Sequence, residues 1–128
     1  MIVMSNPTDL KYAKTHEWFR IDGDMVTIGI TQHAADELTD ITFVELPAVG
    51  TKFTAGGSFG EVESVKATSE IFTAVEGEVV EVNGELADHP EYINDDPFGN
   101  GWLIRIKVSN SAGLEGLMDA AGYDAAIA

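Results

Sequence analysis

A strand-turn-strand pattern occupies Gly60-Glu61-Val62-Glu63-Ser64-Val65-Lys66-Ala67-Thr68-Ser69-Glu70-Ile71-Phe72. Two short segments of strand-like composition flank a few small residues, which predicts a hairpin that holds Lys66 at its exposed tip. The chain has five lysines against 22 acidic residues, and Glu61, Glu63 and Glu70 frame this one. A lone cation that an enzyme can reach indicates a site of covalent modification. The alternative is a solvated turn lysine with no further role.

Length and composition indicate one compact domain. A chain of 128 residues buries about two-thirds of the surface that its unfolded form exposes. Its 45% hydrophobic content and 13 glycines suit a globular protein with many turns, and no apolar run approaches the roughly 18 residues of a membrane span. The start, Met1–Pro7, has neither the basic region of a signal peptide nor arginine-rich transit character. We therefore expect a cytoplasmic protein.

Charge and cysteine content exclude several classes of function. A net charge of -15 repels nucleic-acid phosphates and anionic membrane surfaces, so neither is expected as a partner. The absence of cysteine removes disulfides, a thiolate nucleophile and cysteine-based zinc sites. The three histidines are far apart without paired-ligand spacing, so we expect no metal site. Any sulfur redox chemistry must therefore come from an attached group.

The first half of the chain predicts a hairpin followed by a short helix. His16–Ile21 and Met25–Ile30 flank Asp22-Gly23-Asp24, and the second segment alternates apolar and small residues as a half-buried strand does. Thr31 can cap a helix that runs through Asp40. Its inner side would hold Ala34, Ala35 and Leu38.

The second half predicts further strands and a C-terminal helix. Leu86–Phe98 is interrupted by prolines and acidic residues, which predicts an irregular surface connection. In the strand Trp102–Val108, one predicted face holds Trp102, Ile104, Ile106 and Val108, and the other holds Leu103, Arg105 and Lys107. Ser109 or Ser111 can cap a final helix whose apolar stripe holds Leu114, Leu117, Met118, Tyr123 and Ile127. The whole pattern predicts a mostly β protein, a small antiparallel β-sandwich or flattened barrel with short helices.

The hairpin sequence Glu63-Ser64-Val65-Lys66-Ala67, followed by Thr68-Ser69-Glu70, resembles the lipoyl-attachment site of the glycine cleavage system H protein family. Other runs occur in the order that this family shows: Tyr12, His16-Glu17-Trp18, Val26-Thr27-Ile28-Gly29-Ile30-Thr31, Phe43-Val44-Glu45-Leu46-Pro47, Gly77-Glu78-Val79-Val80-Glu81-Val82-Asn83, Gly101-Trp102-Leu103 and Leu117-Met118 to Tyr123. The resemblance implies a lipoyl-domain-like fold of the barrel-sandwich hybrid type. It also implies an N-terminal extension over residues 1–9 and a single carrier domain over 10–128.

The resemblance implies a carrier and not an enzyme. Lipoate joined to Lys66 would visit glycine decarboxylase (P protein), a tetrahydrofolate-dependent aminomethyltransferase (T protein) and dihydrolipoamide dehydrogenase (L protein). A lipoyl or octanoyl transferase or ligase would attach the group, and a freely presented arm favours a monomer. The attachment motif gives Glu63, Ser64, Val65 and Ala67 as site residues around the lysine.

Two further residues are implied by the family resemblance. Glu17 and Glu70 match positions that would line a cleft in which the loaded arm shelters from water. A carboxylate there can pair with a protonated amine.

Other functions remain open at the level of sequence. A relay that donates lipoyl groups to 2-oxoacid dehydrogenase complexes would use the same lysine. An unmodified interaction domain would keep the fold without the arm. Biotin is disfavoured, because biotin carriers place methionine on both sides of the lysine, where this chain has Val65 and Ala67.

Overall fold

A computed structural model describes residues 6–127. Residues 1–5 of the expected N-terminal extension and the terminal residue 128 lie outside the described residues. Along the described chain the strands and α-helices are β1 (Lys11–Tyr12), β2 (Glu17–Asp22), β3 (Met25–Ile30), α1 (Gln32–Leu38), β4 (Ile41–Glu45), β5 (Lys52–Phe53), β6 (Ser58–Ser64), β7 (Thr68–Phe72), β8 (Glu76–Val82), α2 (Tyr92–Asp95), β9 (Ile104–Asn110) and α3 (Ala120–Ile127). Two 3₁₀ helices cover Gly84–Ala87 and Ala112–Gly116.

The strands form two antiparallel sheets. The larger has six strands in the order β1-β2-β3-β9-β8-β5, and the smaller has three in the order β4-β6-β7. Fully buried side chains from both sheets meet in one core, including Phe19, Ile28 and Ile106 from the larger sheet and Val62 and Ile71 from the smaller. The prediction of a mostly β antiparallel sandwich is confirmed. The two sheets stay separate and do not close into a barrel.

The first predicted hairpin is present, with β2 and β3 paired from Glu17 opposite Ile30 to Asp22 opposite Met25. Its turn is tighter than the sequence predicts, because Asp22 belongs to the strand. Gly23 has a φ of 63°, a conformation that glycine adopts without steric cost and that short hairpin turns require.

The first predicted helix is confirmed in place and cap but is shorter than expected. The Thr31 side chain accepts a hydrogen bond from the Ala34 N–H, at 3.2 Å. The helix ends at Leu38, where Thr39 has a φ of 62°. Asn94 then donates to the Thr39 carbonyl at 2.6 Å and accepts from the Ile41 N–H at 3.0 Å. This distant side chain satisfies backbone groups that a longer helix would have used internally.

The facing predicted for the last strand is wrong at Leu103. That side chain is fully buried, together with Ile104 and Ile106. The reason is that the strand begins only at Ile104. Leu103 precedes it in a segment whose backbone bonds to Ile28 and Asn83, so strict alternation does not extend back to it.

The predicted continuous C-terminal helix is also wrong. A 3₁₀ helix over Ala112–Gly116 and α3 are separated by an extended segment in which Met118 exchanges two backbone hydrogen bonds with Tyr12, each of 2.8 Å. The helical period of the apolar residues is real, but pairing with the sheet edge breaks it at Met118. Ser111 precedes the 3₁₀ helix without a side-chain cap bond.

The C-terminal helix packs on a second, smaller apolar cluster. Tyr123 stacks on Tyr12 with ring centroids 4.9 Å apart, and both side chains are fully buried. Trp18, Leu10 and Ala120 complete the buried part of this cluster. The cluster fixes α3 beside the start of β2.

Candidate functional site

The predicted lysine hairpin is formed by β6 and β7. Their pairing runs from Ser58 opposite Phe72 to Glu63 opposite Thr68, and the Ser64 N–H donates to the Ala67 carbonyl at 2.8 Å. The Ser64 hydroxyl oxygen also accepts from the Lys66 and Ala67 N–H groups, at 3.1 and 3.0 Å. A serine at the start of a turn often closes it in this way.

Replacing Ser64 by alanine is expected to loosen the tip without unfolding the protein. Two backbone N–H groups lose their acceptor, which costs about 1 kcal/mol locally because water replaces it at this exposed site. Hydrogen exchange of the Lys66 and Ala67 amides should therefore accelerate several-fold. Ser58→Ala is the control, since that hydroxyl lies at the far end of β6, and unchanged exchange in Ser64→Ala would show that the hydroxyl does not order the turn.

The tip places Lys66 against the end of α1. Its side chain is exposed, and Nζ donates to the Glu37 carbonyl at 3.1 Å. The Val65 N–H donates to the Asp40 carbonyl at 3.1 Å, while the Val65 side chain is 70% exposed. The backbone of the tip is thus anchored to the segment after α1, and the lysine amine stays available.

The outer surface of the smaller sheet carries a row of carboxylates. Glu45, Glu61 and Glu70 are direct cross-strand neighbours on β4, β6 and β7, and Glu63 lies on the same face two residues after Glu61. We call these four residues the acidic face. Like charges directly opposite each other destabilise a sheet, so this arrangement favours a basic surface as its neighbour. Phe43, opposite Glu63 and 52% exposed, adds an apolar contact.

Two adjoining cavities extend inward from the tip. The lysine cavity, of about 560 Å³, is lined by Thr15, His16, Ala34, Glu37, Leu38, Lys66, Ala67, Thr68 and Ser69. The glutamate cavity, of about 350 Å³, is lined by Ala13, Thr15, Glu17, Gly56, Phe72, Thr73 and Ala74. Thr15 lines both, so the two cavities adjoin at this residue, with Lys66 beside one and Glu17 beside the other. We call the two adjoining cavities the cleft.

Glu17 is a buried carboxylate at the inner end of the cleft. Its side chain accepts hydrogen bonds from the Thr15 hydroxyl and, at 3.2 Å, from the Phe72 N–H. Burial raises the pKa of Glu17 above its ordinary value of 4.5, and these hydrogen bonds oppose the rise. A buried carboxylate with two donors still has lone pairs for a third, such as an amine.

The raised pKa of Glu17 predicts a particular pH dependence of stability. The folded state holds this proton more tightly than the unfolded state, so the associated stability is present below pH 4.5 and is lost as pH rises through the folded pKa. Glu17→Gln removes this titration. In urea unfolding at several pH values, the free energy of unfolding of the variant should increase relative to that of the wild type as pH rises. For the exposed control Glu115→Gln, the difference from wild type should stay constant with pH. Parallel curves for Glu17→Gln would contradict the raised pKa.

The two predicted cleft residues lie in different surroundings. Glu17 lines the glutamate cavity, whereas Glu70 is exposed on β7 and lies outside both sets of lining residues. Of the residues predicted around the lysine, Ala67 lines the lysine cavity and Ser64 closes the turn. Val65 and Glu63 are exposed to solvent.

Several lining residues were not singled out from the sequence as site residues. Thr15 and His16 reach the cleft through contacts between distant elements. His16 carried one local signal, since it precedes Glu17 in a motif of the resembled family.

The described residues hold neither a metal-binding cluster nor a helix that could span a membrane. No cluster of three or more His, Asp or Glu side chains among residues 6–127 has the geometry of a metal site. No helix in the same part of the chain has the length and apolar character to cross a membrane.

A small two-sheet sandwich with a lysine at a hairpin tip and a cleft beside it has the architecture of a carrier domain. The family model described as "Glycine cleavage H-protein" matches residues 10–128. The chain therefore belongs to the glycine cleavage H-protein family, whose members are carrier components of a multienzyme system and not enzymes.

Individual relatives agree with this assignment. The glycine cleavage system H protein of Acinetobacter baumannii is 52% identical over 124 residues, covering 97% of this chain and 100% of the relative. That of a Marinomonas species is 56% identical over 123 residues, covering 95% and 97%. A crystal structure of the H protein from Mycobacterium marinum superposes with a TM-score of 0.86 at 39% identity, covering 94% of this chain and 97% of that one.

Proposed function

We propose that this chain carries lipoate in amide linkage to Nζ of Lys66 and serves as the mobile carrier of glycine cleavage. The observation that carries the proposal is the exposed Lys66 amine at the tip of a rigid hairpin, in a chain whose family carries lipoate. The fit of the group is supported by the small residues of the tip and by the adjoining cleft. Amide formation removes the lysine charge. The hydrogen bond from Nζ to the Glu37 carbonyl is then not required.

The lipoyl group, joined by an amide to Nζ of Lys66, would supply a disulfide for reductive transfer of the aminomethyl group that remains when the P protein releases carbon dioxide from glycine. Transfer of the one-carbon unit to tetrahydrofolate at the T protein would release ammonia and leave a dithiol, which the L protein would reoxidise to the disulfide with NAD⁺ as electron acceptor. The catalytic groups lie on those partners. The chain's own task is to present the lysine in one geometry, keep the carrier attached between visits and bind each partner briefly.

The surface around the lysine suits recognition by basic partners. The acidic face and the exposed side chains of Phe43 and Val65 surround the tip. Their charge favours docking with lysine- or arginine-rich surfaces and raises association rates. We propose this surface for the partner enzymes and for the lipoyl or octanoyl transferase or ligase that modifies Lys66.

The cleft provides a resting place for the loaded arm. The Glu17 carboxylate, already held by Thr15 and Phe72, would accept a hydrogen bond from the protonated amine at the end of the arm. The apolar walls of the glutamate cavity would keep water from that amine. Because Glu70 lies on the acidic face, we propose contact with partners as its role in place of contact with the arm.

Reconstitution tests the proposal. Purified P, T and L proteins are mixed with glycine, tetrahydrofolate and NAD⁺, and NADH formation is followed after addition of this protein in its lipoylated form. We expect turnover proportional to the amount added, and no turnover with the unmodified protein as the matched control. Equal rates with both forms, or no rate with either, would contradict a lipoyl-dependent carrier.

A further inference from the structure

A partly buried series of hydrogen bonds connects α3 to the wall of the cleft. The Tyr123 hydroxyl lies 2.6 Å from Nδ1 of His16 and 2.7 Å from Oγ1 of Thr31. Tyr123 belongs to the C-terminal helix, Thr31 is the cap of α1, and His16 precedes β2 and lines the lysine cavity. The carrier function proposed above does not depend on these hydrogen bonds.

One assignment of donors and acceptors among Thr31, Tyr123 and His16 gives each hydroxyl hydrogen an acceptor. The Thr31 oxygen accepts from the Ala34 N–H, so its own hydrogen is available to the Tyr123 oxygen, and the Tyr123 hydrogen then goes to His16 Nδ1. In the reverse order the Thr31 hydrogen would have no acceptor among the contacts of residues 6–127. This order makes Nδ1 of His16 an acceptor, which corresponds to a neutral ring with its hydrogen on Nε2.

The electrostatic surroundings agree with a neutral ring. Burial lowers the pKa of His16, and the His33 ring, 4.9 Å away, lowers it further. Glu37, which contacts His33 Nε2 at 3.1 Å, acts in the opposite direction. Burial also raises the pKa of Tyr123, which keeps its hydroxyl protonated as a donor.

The backbone at His16 has an uncommon conformation that backbone hydrogen bonds hold on both sides: its N–H donates to the Ala13 carbonyl and its carbonyl accepts from the Thr31 N–H, each at 3.0 Å. His16 has a φ of 74°, in the left-handed region that residues other than glycine rarely adopt. The residues on either side of it are Thr15 and Glu17, whose side chains meet in the glutamate cavity. A change of the His16 conformation would therefore redirect both of them.

We propose that Tyr123 is a positioning residue for the cleft: its hydroxyl holds the His16 side chain as a neutral ring in the cleft wall, next to Thr15 and Glu17. The proposal rests on the proposed function, in which the arm on Lys66 uses the cleft. A neutral His16 does not repel the protonated amine of the loaded arm, whereas a charged one would. The docking of α3 consequently sets how long the arm stays sheltered.

The test removes the hydroxyl alone. Tyr123→Phe keeps the ring that stacks on Tyr12, and Tyr92→Phe is the control, since the Tyr92 ring stacks on His89 away from the cleft. Nitrogen NMR of the imidazole in the unmodified protein should show the Nε2–H form in wild type and control. Tyr123→Phe should show a mixture of the two tautomers and a raised His16 pKa.

A second readout uses the lipoylated, aminomethyl-loaded protein without tetrahydrofolate. Release of the amine should be about three- to tenfold faster in Tyr123→Phe, as expected for loss of one neutral hydrogen bond. His16→Asn tolerates the positive φ and should accelerate release similarly. The double variant should be no faster than either single variant, because both changes break one coupled unit.

An unchanged tautomer or an unchanged release rate in Tyr123→Phe overturns the proposal, as does full additivity in the double variant. The proposed function has its own test, the mass of the wild-type protein: if Lys66 carries no addition of lipoyl size, the carrier function fails whatever Tyr123 does. The tautomer measurement needs no lipoate and still decides whether the hydroxyl controls His16.

Discussion

Replacing Lys66 by arginine is expected to abolish lipoyl attachment and aminomethyl transfer while leaving the fold intact. The guanidinium group is always protonated and its nitrogen lone pairs are delocalised, so it cannot accept the lipoyl acyl group. The side chain is exposed and donates to the Glu37 backbone carbonyl, so the change removes no core packing. Carbon dioxide exchange with the P protein should fall to the level without carrier.

The control for this experiment is Lys52→Arg, an exposed lysine on β5. It should be modified and support exchange as wild type does. Circular dichroism and urea unfolding should show that both variants are folded. A normal rate of glycine decarboxylation by the P protein in the presence of Lys66→Arg would contradict the assignment of the carrier lysine.

Gly60→Ala is expected to destabilise the fold strongly. A Cβ at this position would lie 2.2 Å from the backbone oxygen of Glu45, on the strand that pairs with β6. Backbone cannot move aside as a flexible side chain can, so the loss in free energy of unfolding should be roughly 3 kcal/mol, the upper part of the range for overpacking. Urea unfolding gives this value directly.

Gly84→Ala is the matched control, because a Cβ there would have no atom within 4 Å. It should be neutral within about 0.5 kcal/mol. Because Gly60 lies on the hairpin that presents Lys66, the destabilised variant should also be modified more slowly. A fully stable Gly60→Ala would contradict the close approach of Gly60 to the Glu45 carbonyl.

The hairpin could be predicted from sequence because its determinants are local. Ser64 and Ala67 close the turn within four residues, and the flanking apolar residues face the core. The first hairpin and the Thr31 cap were predictable for the same reason. Turn and cap chemistry acts over a few residues, which a single sequence displays.

The predictions that were wrong depended on distant contacts. Met118 is not helical, because its backbone pairs with Tyr12 at the edge of the larger sheet. Leu103 is buried because its backbone bonds to Ile28 and Asn83 before the last strand begins. The bond between His16 and Tyr123 joins residues 107 positions apart. No spacing rule relates such residues, so the wall of the cleft became visible only in the folded chain.

The measurement that tests the central claim most directly is an intact mass and a peptide map of the protein isolated from its own cells. The account predicts a single addition of lipoyl size, located on the peptide that contains Lys66. An unmodified Lys66 in cells where other lipoyl proteins carry their cofactor, or an addition on another lysine, would contradict it.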